Sequence, residues 1–399
     1  MKKVITWLYL AIFLVACQKE EFSAEVLDYL AQNHAAITAN SPNSLEPLFA
    51  DTDLNRYDVF LTGENHAIAA NTEIYYLLLQ YYKQKVNFRY LLVELQYAAG
   101  ATLQRYLDTG DEEMLAELMH SFGGSFYATR ENFEFWKKVR AYNLTLEPER
   151  RIQVIGIDVE HNGQRALRYL QSLLPATSPP GEIAISMQKL QAFSNVNYAK
   201  NSASMQMLES LQDQLEMQGS VFENYLGEHF FAFEFTLQNT LNAAYFYQNG
   251  GKLEDREQFI QQNFIKIYKH YTPGKYFGQW GGFHVVQKGT HPSLANFLQY
   301  DIQSPVIGKV LSVFIAYQNS QYRKQRNEGV GTVESLEKDN PYTQFAQSPY
   351  TLFGLTGTNS PFTRNIHWWI TTEKPNGGVT TDYFQYLLLV KDSPAESTF

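Results

Sequence analysis

Residues 57–66, YDVFLTGENH, join a short apolar run to a glycine and a cluster of polar side chains. The run at 57–62 is rich in aromatic and branched residues and predicts a β-strand, and the glycine after it predicts a turn. Apolar residues at helical spacing follow at 71–85, and a second strand-like run follows at 89–93. This strand–helix–strand order indicates two parallel strands joined by a crossover helix.

The same alternation continues along the chain. Further strands are predicted at 152–157, 275–278, 310–316 and 383–390, and further helices at 98–107 and 132–146. Residues 202–271 instead carry a long helical pattern with no strand candidate. We therefore expect an α/β fold, with a central, largely parallel sheet flanked by helices. The expected domain spans 46–399 and contains a long helical insertion at about 182–271.

Composition limits the class of protein. The chain has 399 residues, of which 44% are hydrophobic and 18% charged, so it can bury a substantial core. Lys and Arg number 32 against 41 Asp and Glu, for a formal net charge of -9. A chain this acidic has no electrostatic reason to bind a polyanion, so we expect no nucleic-acid partner.

The first twenty residues have the pattern of a lipoprotein signal. Lys2 and Lys3 precede an apolar run at 4–16, and the sequence LVAC at 14–17 resembles a bacterial lipobox. The run of 13 residues is too short to span a bilayer, which needs about 20. We expect a signal peptide at 1–16, lipidation of Cys17 with palmitate among the acyl groups, and a tether at 17–45. Cys17 is the single cysteine of the chain.

The residues after the cysteine bear on location. Position 18 is Gln rather than the Asp that retains many lipoproteins on the inner membrane, so the resemblance implies an outer-membrane lipoprotein. Lys19-Glu20-Glu21 also resembles a surface-export tag, although an ordinary charged tether has the same composition. The expected location is the cell envelope, anchored to the outer membrane by lipid and facing the periplasm or the cell surface.

Polar side chains lie at the ends of four predicted strands. They are Glu64 and His66 after the first, Glu94 after the second, Asp158 and His161 after the third, and Trp280 and His284 after the fourth. The carboxyl ends of parallel strands meet at one edge of a sheet, where α/β proteins bind their ligands. We therefore expect these residues to converge.

Carboxylates and imidazoles gathered in one crevice can activate water, because each shifts the pKa of the other. His66 is the candidate general base, and Glu64 can orient its ring. Glu94 and Asp158 supply negative charge. His284 can carry a second proton or face a developing oxyanion.

A metal centre is the competing use of such residues, because two His and two carboxylates match the ligands of Zn, Mn or Fe. The chain has no HExxH helix, no His-x-His pair and no second Cys, so spacing leaves this alternative open. It also lacks the G-x-S-x-G elbow of serine hydrolases and the phosphate-binding glycine motifs.

Three further residues have two interpretations each. His161 can support the site or lie at the surface. Arg256 can clamp an anionic substrate group, or pair with Glu254 or Glu257 on its own helix. Trp280 precedes two glycines, which suggests a loop that a ligand approaches, although glycine also simply permits a turn.

Together these motifs resemble the erythromycin esterase-like superfamily, which also takes in ChaN-like haem-binding lipoproteins and TIKI-type proteases. The resemblance covers about residues 55–300. The matching features are Gly63-Glu64 with His66, the strand end at Glu94, the segment YLDTGD at 106–111, Asp158, the pair Arg256-Glu257 with Asn263, and His284.

The resemblance implies a hydrolase without a covalent intermediate, in which His66 is the general base and Glu64, Glu94 and His284 are the other essential residues. The substrate would be an ester or amide, either a small molecule or a peptide. One departure stands against a macrolide: the esterases have two residues between Glu and His, and this chain has only Asn65. The superfamily also includes haem uptake without catalysis, so a haem or a divalent metal is a possible cofactor.

Overall fold

The computed structural model describes residues 22–49, 52–346, 348–372 and 374–399. The predicted signal peptide and Cys17 lie outside these ranges. Within them, no helix is both long and apolar enough to cross a bilayer.

Eight strands form one sheet, and two more form a separate hairpin. The sheet contains β1 (His34–Ala36), β2 (Val59–Glu64), β3 (Tyr90–Gln96), β4 (Gln153–Asp158), β5 (Tyr276–Gly281), β6 (Val310–Gln318), β9 (Tyr350–Gly354) and β10 (Tyr386–Lys391). The hairpin pairs β7 (Ser320–Arg323) with β8 (Val330–Val333). The order in the sheet is β1-β9-β10-β6-β2-β5-β3-β4.

Helices cover both faces of this sheet. They are α1 (Ala24–Gln32), α2 (Glu46–Phe49), α3 (Ala70–Val86), α4 (Tyr97–Thr109), α5 (Glu112–Ser121), α6 (Arg130–Leu144), α7 (Gly163–Ser172), α8 (Gly181–Ala192), α9 (Ala203–Met217), α10 (Gly219–Leu226), α11 (Phe230–Gln248), α12 (Leu253–His270), α13 (Gly282–Val285), α14 (Leu294–Tyr300) and α15 (Tyr342–Phe345).

The predicted α/β class is confirmed. All six predicted strands are present and run parallel to one another, from β10 through β6, β2, β5 and β3 to β4. The sequence pattern missed β1 and β9, which add two antiparallel strands at one edge. β1 has only three residues, which is too short to show a periodic pattern.

The central strand β2 shows why the sheet is covered on both faces. Val59 and Leu61 belong to one apolar cluster, together with Phe264 of α12. Phe60 points to the opposite face, where its ring lies 4.6 Å from that of Tyr82 in α3. Because successive side chains of a strand alternate, a strand buried on both faces is apolar throughout.

Residues 181–270 contain five helices and, within the described chain, no strand, so the helical insertion is present. Helices α8 to α11 pack with α7 around an apolar cluster of their own. Helix α12 differs, because Ile260, Phe264 and Ile267 pack against the sheet. It is the crossover helix that leads into β5. The proposed bounds of the domain and the insertion remain predictions.

Candidate active site

The turn that follows β2 carries a Glu–His pair. His66 Nδ1 lies 2.9 Å from Glu64 Oε1, so this nitrogen donates its hydrogen to the carboxylate. Gln279 of β5 donates to the other oxygen of Glu64. The imidazole stacks on Phe126, with the ring centres 5.3 Å apart. Glu64 thus fixes the ring, and Nε2 is the nitrogen left available for chemistry.

Two residues outside the predicted site hold this turn in place. Tyr317 OH donates to Asn71 Oδ1 over 2.6 Å and accepts from the backbone N–H of Asn65. The Asn71 side chain also donates to the carbonyl of Asn65 over 2.8 Å. Tyr317 lies one residue beyond the predicted strand at 310–316, so the sequence pattern gave no signal for its role.

The residue after His66 adopts a costly conformation. Ala67 has φ of 64°, a region that L-residues other than Asn and Asp seldom occupy. Its carbonyl accepts two backbone N–H groups, from Arg323 and Glu396, each over 3.1 Å. Strand β7 and the segment at Glu396 therefore hold the turn that carries His66 in place.

Glu94 is the centre of the site and is buried. Its Oε2 accepts the N–H of Gly281 over 2.7 Å and lies 3.9 Å from His66 Nε2. Its Oε1 accepts from Arg256 Nη2 over 2.9 Å and lies 3.2 Å from His284 Nε2. A Cβ at Gly281 would stand 3.1 Å from His66 Nε2, so a larger residue there would press on the imidazole.

Arg256 joins two strand ends. Its Nε and Nη2 donate to the two oxygens of Asp158 over 2.9 and 2.6 Å, while Nη2 also reaches Glu94. The alternative of a pair within its own helix is wrong, because Glu254 contacts His291 and Glu257 contacts His284. Arg256 lies in the first turn of α12, above the ends of β3 and β4.

His284 lies behind Glu94 rather than in the open crevice. Its side chain is 5% exposed, and its two nitrogens contact Glu94 and the fully buried Glu257. Burial lowers the pKa of His284, but the two carboxylates outweigh burial and raise it to about 10. His284 is therefore an imidazolium that supports Glu94. Glu257 was not among the predicted site residues, although the Arg-Glu pair contained the signal.

Charges set the ionisation of the other groups. Burial raises the pKa of Glu94, but His284, His66 and Arg256 outweigh it and hold that pKa far below its usual range. Burial likewise opposes ionisation of Asp158, yet Arg256 and His161 keep its pKa well below normal. Burial lowers the pKa of His66, while Glu94 and Glu64 raise it, for a net increase.

His161 and Trp280 have different surroundings. His161 contacts Asp158 over 3.2 Å and Tyr247 OH over 2.7 Å, so it supports the site from its rim. Trp280 is 1% exposed, and its Nε1 donates to the carbonyl of Leu92. Gly278 leaves the room that this indole fills. The structure thus brings His161 to the site but buries Trp280 in the sheet, away from the opening.

A cavity of about 640 Å³ opens above these groups. His66, Glu94, Asp158, His161 and Arg256 reach it from one side. The remaining wall is largely aromatic, with Phe122, Phe126, Tyr127, Phe246 and Tyr247. Such a mixture of a few convergent polar groups with apolar walls is typical of a small-molecule site. His284, Glu64, Glu257 and Trp280 do not line it.

The carboxylates of the site are already paired with protein cations. In the described part of the chain, no three His, Cys, Asp or Glu side chains group in a way that could hold a metal ion. The guanidinium of Arg256 occupies the place between Glu94 and Asp158 where a bridging cation would sit. The arrangement fits acid–base and electrostatic chemistry by the protein's own groups.

Comparison with known proteins defines the class. The family model described as erythromycin esterase matches residues 84–281. Residues 84–281 therefore carry a region of the erythromycin esterase family. No curated protein sequence matches it significantly.

Solved structures agree on the fold. A Bacillus cereus protein superposes with a TM-score of 0.69 at 15% identity, covering 94% of this chain and 98% of that one. A succinoglycan biosynthesis protein gives 0.68 at 14% identity, with the same coverage. A mutant of the erythromycin esterase EreC in its open conformation gives 0.62 at 12% identity, covering 89% of this chain and 95% of that one. At such identities the likeness establishes the fold alone.

Proposed function

We propose that the protein is a hydrolase that activates water with the His66–Glu64 pair and cleaves an ester or amide. The observation that carries the proposal is the imidazole of His66 at the cavity wall, fixed through Nδ1 by Glu64 with Nε2 free. A ring oriented by a carboxylate is the usual arrangement of a general base. The reaction class is that of the matched family, and EreC is an erythromycin esterase.

The chemical step needs no covalent intermediate. Water attacks the carbonyl carbon while His66 Nε2 takes one of its protons, which gives a tetrahedral oxyanion. The intermediate then expels the alcohol or amine, which takes that proton back from the imidazolium. Glu64 stabilises the charged ring throughout.

Arg256 is the group placed to stabilise the oxyanion, because its guanidinium lines the same cavity as His66. Asp158 and Glu94 hold it on two sides, so it needs no reorganisation when charge develops. His284 acts as a positioning residue, since it contacts Glu94 rather than the cavity. This replaces the expected direct role of His284 at the leaving group.

The test compares three proteins on a panel of aryl esters and amides. His66→Ala should lose at least about 100-fold in kcat/KM, the range typical of a general base. Glu64→Gln keeps the shape and the contact to the ring and should lose less. Ser125→Ala, a change in the cavity wall outside the proposed machinery, is the control. Full activity in His66→Ala on a substrate that the wild type cleaves refutes the proposal.

Haem uptake is the alternative use of this cavity. There His66 Nε2 would be an iron ligand and the aromatic wall would pack on the porphyrin. Titration with haem distinguishes the two functions. A stoichiometric Soret shift that His66→Ala abolishes, with no turnover of any ester or amide, favours uptake over hydrolysis.

We also propose that the protein is a lipoprotein of the cell envelope. Its support is the lipobox pattern that ends at Cys17, and the expected anchor is the outer membrane. Metabolic labelling with an alkyne-tagged palmitate should mark the wild type and leave Cys17→Ser unlabelled. Equal labelling of both proteins, or of neither, counts against lipidation.

A further inference from the structure

A second cleft, of about 780 Å³, adjoins the active-site cavity between α4, α5 and α7. Three residues line both spaces, namely Ser121, Asn162 and Arg165. The two spaces therefore meet at one boundary, and a ligand that fills the first can extend into the second. The size of the cleft is in the range of small-molecule sites.

Arg165 forms this boundary. Its Nη2 donates to Ser121 Oγ over 2.5 Å, and its guanidinium lies 4.6 Å from the centre of the Phe122 ring. Among the described residues, no carboxylate lies within the 4.0 Å of an ion pair with it. The boundary thus carries a cation held by a hydroxyl and an aromatic face, and not by an acid.

The carboxyl group that interacts most with Arg165 does not neutralise it. Glu160 is fully buried, and one of its oxygens accepts the N–H of Ala98. Burial raises the pKa of Glu160 to about 8, so the group is mostly protonated at pH 7. Within the described chain, Arg165 thus has no carboxylate at ion-pair distance to balance its charge.

Two more arginines reach the same cleft. Arg168 follows Arg165 by one turn of α7, and Arg105 comes from α4. Both are exposed, and in the described chain neither has a carboxylate within ion-pair distance. Like charges three residues apart repel each other, which an anion between them would relieve. The acids that line the cleft are Asp108, which accepts from Gln104, and Glu117.

We infer that this cleft binds an anionic group of the substrate, a carboxylate or a phosphate, while the ester or amide bond lies at His66. Three arginines against two acids make the cleft net positive in a chain of net charge -9. Arginine is suited to this task because its planar donors match the oxygens of both anions. The placement of the cleaved bond at His66 rests on the proposed function. Binding of an anion in the cleft does not depend on that proposal.

Binding can be measured without turnover in a His66→Ala background. The probes are glucuronate, inorganic phosphate and glucose, where glucose is the neutral counterpart of glucuronate. Calorimetry should detect binding of glucuronate or phosphate and no binding of glucose. The double variant Arg105→Gln/Arg168→Gln should bind the anion at least several-fold more weakly, since each exposed arginine contributes up to about fivefold.

The matched control is Arg56→Gln/Arg151→Gln, which removes the same charge from two exposed arginines outside the cleft. It should bind like the parent protein. Equal weakening in both double variants, or no anion binding at all, overturns the inference. Turnover of a neutral ester by the wild type is measured in parallel. If the neutral ester is cleaved but no anion binds, the anion inference fails and the hydrolase proposal stands. Preference for phosphate over glucuronate, or the reverse, identifies the anion.

Discussion

Removing the guanidinium of Arg256 tests how the site is held together. Arg256→Met keeps most of the side-chain volume but deletes the three hydrogen bonds to carboxylates, two to Asp158 and one to Glu94. Both carboxylates are buried, so the change leaves Asp158 without its main cationic partner and removes one of the three cations around Glu94. Breaking a buried ion pair in this way costs about 3–5 kcal/mol of unfolding free energy.

The loss should depend on pH in a defined direction. In the wild type the pKa values of Glu94 and Asp158 are depressed, so their stabilising contribution is present above about pH 4 and is lost as pH falls through the folded-state values. In Arg256→Met the depression is smaller. The difference in stability between variant and wild type is therefore nearly constant above about pH 4 and shrinks as pH falls below it.

Urea denaturation at pH 7 and at about pH 3 measures both effects. Arg256→Lys retains the charge without the planar donors and should fall between the other two proteins, which also gives a folded variant if Arg256→Met does not fold. Arg151→Met, at an exposed position, controls for the loss of a surface charge. A loss below about 1 kcal/mol at pH 7, or one that is equal at both pH values, refutes this account of the site.

Three further outcomes follow from the charges. kcat/KM should rise with pH through an apparent pKa above 6.5, because the pKa of His66 is raised, and Glu64→Gln should move that midpoint down in a pH–rate profile. The raised pKa of His284 stabilises the fold fully below pH 6.5, and this contribution is lost as pH rises through about 10. The free energy of unfolding, measured in urea, should therefore fall less between pH 6.5 and pH 10 in His284→Gln than in the wild type. Glu160→Gln should stabilise the protein at pH 7 by up to about 3 kcal/mol and have little effect at pH 4, because only the unfolded chain ionises Glu160 between about pH 4 and 8; destabilisation at pH 7 contradicts this.

The fold class could be predicted from the sequence because the parallel strands are largely apolar runs that alternate with helices. The order of the strands in the sheet could not be predicted. β5 lies between β2 and β3, although about 180 residues separate it from β3 in sequence. Nor could a pattern reveal β9, a five-residue strand at the antiparallel edge, whose partners are distant in the chain.

The site could be predicted in part, because residues that follow parallel strands meet at one edge of the sheet. Strand ends identified Glu64, His66, Glu94 and Asp158, which the structure brings together. Sequence could not tell which groups touch the cavity and which lie behind it. His284 follows its strand in the same way as His66 follows β2, yet α13 begins at Gly282 and buries its ring.

The helical insertion has a direct part in the site, because α12 ends it and carries both Arg256 and Glu257. Without α12 the strand ends would present Glu94 and Asp158 to each other with no cation of fixed geometry between them, and His284 would lose one of its two carboxylates. Burying such carboxylates unpaired is unfavourable, so the crevice is stable only when the insertion is docked. The same contacts that complete the fold at the ends of β3 and β4 therefore place the guanidinium where an oxyanion would form. Stability and chemistry depend on one side chain, and for that reason the Arg256 variants should lose both together.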